Sequence, residues 1–323
     1  MPILKNPNFN PRPLFKNKHF NTLYRFFKTD FKVKFTRKRI VTKDQDFLDL
    51  DLAQVGSDSV IIAIHGLEGS TNSSYIKSLT HYFNQKKIDV VGLNLRSCSG
   101  ELNKNLASYH SGKTEDLEET IQYIITNFQY KNIYLVGYSL GGNIVLKYMG
   151  EYAKKIPNTV KKAIGVSVPC DLKGSAKTIS KFENTLYKNN FLKTLKEKAL
   201  KKIELHPDNQ LDANKIINAK SFKEFDNAFT APSNEFLDAE DYWHQSSCNL
   251  YLSKINKPSL LITALDDPFL SETCYPFEIA ENNPNFYILA TKYGGHVGFC
   301  EKFDMNTNFW LERQIETFLT SPV

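Results

Sequence analysis

Four short apolar runs, separated by segments of helical character, constrain the fold of this chain most strongly. Uninterrupted apolar runs of this length are typical of strands that are buried on both faces of a parallel sheet. Because helix-like segments lie between them, the alternation predicts right-handed βαβ crossovers in a doubly wound α/β fold. The runs are SVIIAIHG, DVVGLNLRS, NIYLVGYS and KKAIGVSVP, beginning at residues 59, 89, 132 and 161.

Further segments complete the predicted domain. KVKFTRKRIV and DFLDLDLAQV flank the polar TKDQ and predict an antiparallel hairpin at the sheet edge. Residues from about 173 to 247 are rich in Lys and poor in strand signals, as expected for an inserted helical cap. The βα pattern resumes with KPSLLITALDDP and NFYILATKYGG, and a closing helix is predicted at about 306–319. We therefore predict one α/β domain over residues 1–323.

The predicted cap contains apolar side chains at spacings that suit one helix face. We expect the cap to set the acyl preference, with plain packing of this face onto the core as the alternative. Its members are Phe182, Leu186, Phe191, Leu192 and Leu195.

A G-x-S-x-G pattern, which also occurs in ordinary turns, lies where a predicted strand becomes a helix. Gly137-Tyr138-Ser139-Leu140-Gly141 has the form of a nucleophile elbow. Gly137 and Gly141 would let strand and helix approach a strained serine without Cβ clashes. The helix that follows would point its amides toward developing negative charge. We therefore predict Ser139 as a nucleophile.

An acid and a histidine follow two later predicted strands. Asp267 ends LLITALD, and His296 follows FYILATKYGG, so the chain order is serine, acid, histidine, as in α/β-hydrolases. A serine hydroxyl needs an adjacent base, and a carboxylate holds that base in the correct tautomer. Asp266 and Asp267 adjoin each other, so only one of them can reach the histidine, and Pro268 biases Asp267, its predecessor, toward extended geometry.

The loop His65-Gly66-Leu67-Glu68-Gly69 follows the first parallel strand. An oxyanion hole in this fold uses the amide after the nucleophile and one amide from this early loop. We predict the N–H groups of Leu67 and Leu140 for this role.

Two polar side chains near the predicted site are expected to support it. His65, beside Gly66, is expected to orient the early loop. Arg96 is expected to brace the site, with contact to an anionic substrate group as an alternative. His110, in YHSG, is expected to be structural.

The chain resembles the YheT-type branch of the α/β-hydrolases over nearly its whole length. That resemblance places the acid and base roles on Asp267 and His296 and implies a carboxylesterase or lipase-like hydrolase; animal members of the branch include phospholipases. Ser97 departs from the glycine usual after Arg96, and Trp243 departs from a usual second tyrosine. The matching motifs are NKHFNTLY, HGLEGS, NLRSCSGELN, YHSGKTEDL, GYSLGGNIVLKY, FDNAFTAP, DYW, ALDDPF and GGHVGF.

Charge is distributed unevenly along the chain. Residues 1–40 carry eleven Lys and Arg and one acid, a local excess of +10, whereas the whole chain carries +6, so the remainder is about −4. This basic arm is expected either to contact an anionic membrane surface or to form a solvated face. Recognisable nucleic-acid modules are absent, so no nucleic-acid partner is expected. The sequence indicates no oligomeric state.

Cysteine usage and the N-terminal sequence predict a cytoplasmic protein. The five cysteines are scattered without a C-x-x-C pair, which favours reduced thiols and predicts no metal site. MPILKNPNFNPRP lacks the apolar stretch of a signal peptide, and the longest apolar runs are too short to span a bilayer.

Together these patterns predict a serine hydrolase that cleaves small-molecule or lipid carboxylic esters through an acyl-enzyme on Ser139, without a cofactor. Two alternatives remain open. The same acyl-enzyme can transfer its acyl group to an alcohol or thiol, and a hydrolase fold can serve as a non-catalytic binding module.

Overall fold

A computed structural model describes residues 2–4, 7–27, 31–304 and 309–321. Its centre is an eight-stranded sheet in the order β1-β2-β4-β3-β5-β6-β7-β8. The β1–β2 and β2–β4 pairs are antiparallel, and all other neighbours are parallel. The strands are β1 (Thr36–Val41), β2 (Phe47–Ala53), β3 (Ser59–Ile64), β4 (Asp89–Asn94), β5 (Asn132–Tyr138), β6 (Val160–Val166), β7 (Ser259–Ala264) and β8 (Phe286–Thr291). The predicted parallel sheet and its edge hairpin are confirmed.

Helices cover both faces of the sheet. The helices are α1 (Lys18–Phe27), α2 (Ser74–Gln85), α3 (Thr114–Asn127), α4 (Leu140–Glu151), α5 (Leu172–Ile179), α6 (Thr185–Leu205), α7 (Ala213–Asn218), α8 (Phe222–Phe225), α9 (Ala231–Ser233), α10 (Ala239–Ser246), α11 (Phe277–Asn282) and α12 (Trp310–Thr320). Neighbouring strand residues point to opposite faces, so Ile62 packs in one apolar cluster with α3 and α4, whereas Ile61 packs in another with α2 and α12.

The closing helix begins later than the sequence indicates. α12 begins at Trp310, and residues 305–308, where its start was expected, lie outside the described residues. Its apolar face, including Leu311 and Ile315, is buried against the sheet. None of the helices in the described ranges has both the length and the apolar character needed to cross a bilayer.

The helices from α5 to α10 form an insertion between β6 and β7 (residues 172–246, the helical insertion), close to the predicted bounds of the cap. It has an apolar cluster of its own, which includes Leu192, Phe229 and Trp243. Thus the insertion is a packed layer and not an extended loop.

The prediction of one apolar face from Phe182 to Leu195 is wrong in part. Leu192 is buried, and Phe191 and Leu195 pack beside it, but Phe182 and Leu186 are 94% and 86% exposed. Phe182 lies in a 3-10 turn before α6, so it does not share the register of that helix. Leu186 precedes Leu192 by six residues, which at 3.6 residues per turn is about 240° around the axis, so the two point to different faces.

The N-terminal basic segment is partly built into the fold. α1 buries Asn21, Thr22 and Arg25. The Arg25 guanidinium pairs with the carboxylate of Glu312 on α12, and Ser78 of α2 donates to the same carboxylate at 2.6 Å. This part of the predicted arm is therefore packed against the domain.

Candidate active site

Ser139 lies at a sharp corner between β5 and α4. Its backbone has φ 52° and ψ −120°, a strained conformation for a residue with a side chain. A Cβ on Gly137 would lie 2.2 Å from the Gly141 carbonyl oxygen, and one on Gly141 would lie 2.5 Å from the His65 carbonyl oxygen. Glycine is therefore needed at both positions for strand, helix and early loop to meet.

Three side chains from separate strand ends form one hydrogen-bonded chain. His296 Nε2 lies 2.9 Å from Ser139 Oγ, and His296 Nδ1 lies 2.8 Å from Asp267 Oδ2. The Asp267 side chain is fully buried, whereas that of His296 is 11% exposed. With the carboxylate accepting the Nδ1 proton, Nε2 is left free to accept the serine proton. The structure therefore brings together the three residues that the sequence singled out.

The two adjacent carboxylates have different partners. Asp267 also accepts a hydrogen bond from the Phe269 N–H at 2.9 Å, which fixes its orientation toward His296. Asp266 accepts from the Gly295 N–H at 2.9 Å. Burial raises the pKa of Asp266 to about 6, and the negative charge of Asp267 adds to the shift. The contact with the imidazole thus belongs to Asp267, and Asp266 holds the neighbouring loop.

Leu67 and Leu140 each adjoin a residue at the corner of the site, Gly66 and Ser139. A Cβ on Gly66 would lie 3.1 Å from Ser139 Cβ, so the early loop lies directly against the serine. The amides on either side of Leu67 are engaged: Gly66 N–H donates to Tyr75 at 2.9 Å, and Glu68 N–H donates to Tyr109 at 3.0 Å. In the described part of the chain, the N–H groups of Leu67 and Leu140 have no hydrogen-bond partner. They are available to an oxyanion.

His65 is a buried structural histidine, as expected. Its Nε2 accepts from the Leu95 N–H at 3.1 Å, so its proton lies on Nδ1, which donates to the Gly66 carbonyl at 2.7 Å. Burial lowers its pKa to about 4, so the ring is neutral at physiological pH. It joins the ends of β3 and β4 below the early loop.

Arg96 braces the loop after β4. Its Nε and Nη2 donate to Asp116 at 2.9 and 2.8 Å, and its Nη1 donates to Asp44 at 2.6 Å and to Asp46 at 3.3 Å. The Arg96 side chain is 2% exposed. Because three carboxylates occupy the guanidinium, the structure favours the bracing role over contact with an anionic substrate group.

Both departures from the family pattern have local partners. Ser97 adopts φ 63°, a left-handed conformation that glycine adopts at less cost, and its hydroxyl donates to Asn103 Oδ1 at 2.6 Å. Trp243 lies in the apolar cluster of the helical insertion, where its Nε1 donates to Asp226 at 2.8 Å. His110 is half-buried and packs near Phe236, and desolvation lowers its pKa, as expected for a structural residue.

Sequence reasoning missed several residues that contact the site. The Phe269 ring lies 4.5 Å from the His296 ring, and the hydroxyl of Thr22 accepts a hydrogen bond from the His296 N–H. Lys198 of the helical insertion pairs with Glu68 of the early loop at 3.0 Å. The NKHFNTLY motif marked the neighbourhood of Thr22, but its partner lies in a distant part of the sequence. Within the described ranges, His, Cys, Asp and Glu form no group of three or more that could hold a metal ion.

Comparison with known proteins agrees with this architecture. A family model described as the alpha/beta hydrolase fold matches residues 59–302. Phospholipase ABHD3 of Mus musculus is 29% identical over 263 residues, which cover 81% of this chain and 64% of ABHD3, so this chain spans less than two thirds of that relative. The solved structure of the esterase Pf2001 of Pyrococcus furiosus shares the fold with a TM-score of 0.60, at 17% identity over 96% of this chain and 95% of that chain.

A more similar relative covers nearly the whole sequence. YheT of Escherichia coli (strain K12) is 33% identical over 321 residues, which cover 97% of this chain and 93% of YheT. The chain therefore belongs to the α/β-hydrolase family, in its YheT-type branch.

Proposed function

We propose that this protein hydrolyses carboxylic esters through an acyl-enzyme on Ser139. The observation that carries the proposal is the continuous hydrogen-bonded chain from Asp267 through His296 to Ser139. A hydroxyl held against a base, with the base held by a carboxylate, is the arrangement that makes serine nucleophilic at neutral pH.

The chemistry proceeds in two halves. His296 Nε2 takes the proton of Ser139 as Oγ bonds to the ester carbonyl carbon, and Asp267 stabilises the resulting imidazolium. The imidazolium then gives its proton to the alcohol oxygen of the ester. The bond between that oxygen and the carbonyl carbon breaks, the alcohol leaves, and the acyl group remains on Ser139 Oγ as the acyl-enzyme. In the second half, His296 Nε2 takes a proton from a water molecule as the water oxygen attacks the acyl carbon. The proton then returns to Ser139 Oγ, the bond from Oγ to the acyl carbon breaks, and the carboxylic acid leaves.

The amides of Leu67 and Leu140 would bind the negatively charged oxygen in both halves. Their N–H groups have no hydrogen-bond partner in the described part of the chain, which supports this role. By analogy with donor deletions in other hydrolases, each is worth about 3 kcal/mol in the transition state.

The proposed substrate class is a small-molecule or lipid ester. It is supported by the apolar surface that the helical insertion brings to the early loop, since Leu67 packs against both the main core and the apolar cluster of the insertion. The name of the relative ABHD3, a phospholipase, is in keeping with this class.

The decisive experiment is a panel of p-nitrophenyl esters from C2 to C16, assayed with and without an added alcohol. Release of p-nitrophenol with free acid as the product would support hydrolysis. Ester products formed with the alcohol would instead support acyl transfer. If no ester is turned over and intact-protein mass spectrometry detects no acyl-enzyme, the proposal is contradicted. The remaining interpretation would then be a non-catalytic binding module.

A narrow cleft of about 30 Å³ lies between the main domain and the helical insertion. The main domain contributes Glu68 and Tyr109 to its lining, and the insertion contributes Leu195 and Phe229. Because Glu68 adjoins the proposed oxyanion donor Leu67, we propose that this cleft widens to receive the acyl chain and that the insertion thereby sets chain-length preference.

Filling this cleft is expected to shorten the preferred acyl chain. Leu195→Trp should lower kcat/KM for C12–C16 esters about tenfold or more while C2–C4 esters change little, because only long chains need the filled volume. The matched control is Leu186→Trp, at a position that is 86% exposed on the same helix. An unchanged chain-length profile for Leu195→Trp would contradict the proposal.

The basic N-terminal segment offers less free charge than its sequence suggests. Several of its cations form ion pairs within the fold, whereas Lys32, Lys34 and Lys38 are exposed. We propose that these three lysines provide peripheral contact with an anionic membrane. The paired cations are Lys18, Arg25, Arg37 and Arg39.

Replacing the exposed lysines is expected to weaken membrane binding. Each lysine near an anionic surface contributes about 1 kcal/mol, so Lys32→Gln/Lys34→Gln/Lys38→Gln should bind phosphatidylserine vesicles roughly 100-fold more weakly in co-sedimentation at low salt. Salt should weaken wild-type binding steeply. Lys161→Gln, at an exposed position of β6, is the control. If the wild type binds neutral and anionic vesicles equally, or binds neither, the membrane proposal is contradicted. The segment would then have only a structural role in the fold.

A further inference from the structure

The backbone of His296 is held by the N-terminal helix α1. Its N–H donates to Thr22 Oγ1 at 2.9 Å, and the Thr22 hydroxyl in turn donates its own proton to the Lys18 carbonyl at 2.8 Å. Because that proton is committed within α1, the hydroxyl faces His296 as an acceptor. Thr22 is 9% exposed, so the bond is largely shielded from water.

The preceding residue of α1, Asn21, holds the other end of the same loop. Asn21 is fully buried, and its Oδ1 accepts from the Cys300 N–H at 3.0 Å while its Nδ2 donates to the Cys300 carbonyl at 3.0 Å. Consecutive side chains of one helix thus hold the main chain at residues 296 and 300.

The loop is shaped to receive this helix. Gly295 has φ 61°, and a Cβ there would lie 2.4 Å from the Lys18 carbonyl oxygen. A Cβ on Gly298 would lie 2.4 Å from Asn21 Oδ1. Only glycine permits these approaches, so the GGHVG sequence serves the contact with α1 as well as the turn itself.

The same loop is strained. Val297 and Phe299 have φ values of 58° and 49°, and a β-branched residue at positive φ is a conformational outlier. Such conformations persist only where their surroundings over-determine them. The Thr22 and Asn21 hydrogen bonds supply that constraint on the two sides of Val297.

We infer that α1 is a positioning element for the base. Thr22 is the positioning residue, because its bond to the main chain of His296 fixes the distance between the imidazole and Ser139 Oγ. The inference rests on the proposed function, because it assigns α1 to the same site. Asp267 fixes the rotation of the imidazole, whereas Thr22 fixes the main chain from which the imidazole extends. A displacement of about 1 Å at a catalytic group can cost about 10²-fold in rate.

The test is Thr22→Val, which keeps the shape of the side chain and removes the acceptor. We expect kcat for a short p-nitrophenyl ester to fall about tenfold to 100-fold with KM within about twofold. The rate of labelling by a fluorophosphonate probe should fall in parallel. Thr22→Ser, which restores the hydroxyl, should recover most of both rates.

Thr80→Val is the matched control. Thr80 is a buried threonine of α2 whose hydroxyl donates to the Ile76 carbonyl at 2.7 Å, so its replacement loses the same kind of helical bond away from His296. Its rates should stay near wild type. An equal loss in Thr80→Val and Thr22→Val would overturn the inference, because the effect would then reflect helix stability.

The remaining outcomes separate this inference from the proposed function. If the wild type is neither labelled nor active, the proposed function fails. If the wild type is labelled and Thr22→Val is labelled at the same rate, the inference fails alone. Should Thr22→Val not fold by thermal melting, Thr22→Ala takes its place, and labelling of that variant at the wild-type rate would overturn the inference equally.

Discussion

Replacing Ser139 with alanine is expected to lower ester hydrolysis on the order of 10⁶-fold, to the background rate, because the attacking atom is removed. Alanine keeps the Cβ, so the backbone at φ 52° need not change, and the only side-chain hydrogen bond lost among the described residues is the one to His296. The melting temperature should therefore stay near that of the wild type.

A fluorophosphonate probe measures the same property directly. The wild type should be labelled once, and Ser139→Ala should not be labelled at all. Ser180→Ala, in the helical insertion, should be labelled like the wild type, since the Ser180 hydroxyl only donates to the Ala176 carbonyl at 2.7 Å. Labelling that persists at another serine would refute the assignment, whereas strong labelling of the wild type would argue against a non-catalytic module.

The second large effect is expected at Asp267. Asp267→Asn should lower kcat about 10⁴-fold, because an amide no longer stabilises the imidazolium or holds the Nδ1–H tautomer of His296. The serine and the oxyanion donors remain, so weak residual activity is expected. The measurement is kcat for a p-nitrophenyl ester together with a thermal melt.

Asp266→Asn is the adjacent control and should keep at least about a tenth of the activity, as substitutions outside the reacting groups usually do. Asparagine Oδ1 can still accept the Gly295 N–H. The folded-state pKa of Asp266, about 6, lies above its ordinary value of 3.8, so its contribution to stability is complete below about pH 4 and is lost as the pH rises through 6.

Above pH 6 the Asp266→Asn variant should therefore be at least as stable as the wild type. If the activities of the two variants came out reversed, Asp266 would be the acid and the assignment of Asp267 would be wrong.

The sheet and the hydrogen-bonded chain of Asp267, His296 and Ser139 were predictable, because the sequence patterns that indicate them are local. Each buried strand is an apolar run, and Ser139 and His296 each follow such a run within a few residues. Parallel strands bring their carboxyl ends to one edge, so the fold itself converts that local pattern into proximity.

Features that depend on distant contacts were not predictable in the same way. Leu186 has an apolar side chain at a plausible helical spacing, yet the register of α6 turns it to solvent. For Arg96 the sequence favoured a bracing role, but the partners that carry it, Asp44 and Asp116, are visible only in the fold. Thr22 is an ordinary helix residue in sequence, and only the docking of α1 reveals its bond to His296.

The hydrogen bond between Thr22 and His296 also bears on the order in which the site forms during synthesis. The two residues are 274 positions apart, whereas the elbow at Ser139 forms from neighbouring segments of the chain. Contacts of large sequence separation form late in folding, because loop closure must precede them. During synthesis, therefore, the serine can reach its final conformation long before its base has been translated. The nascent protein should remain unreactive toward esters until the ribosome has released the loop around residue 296 and that loop has met a helix made near the start.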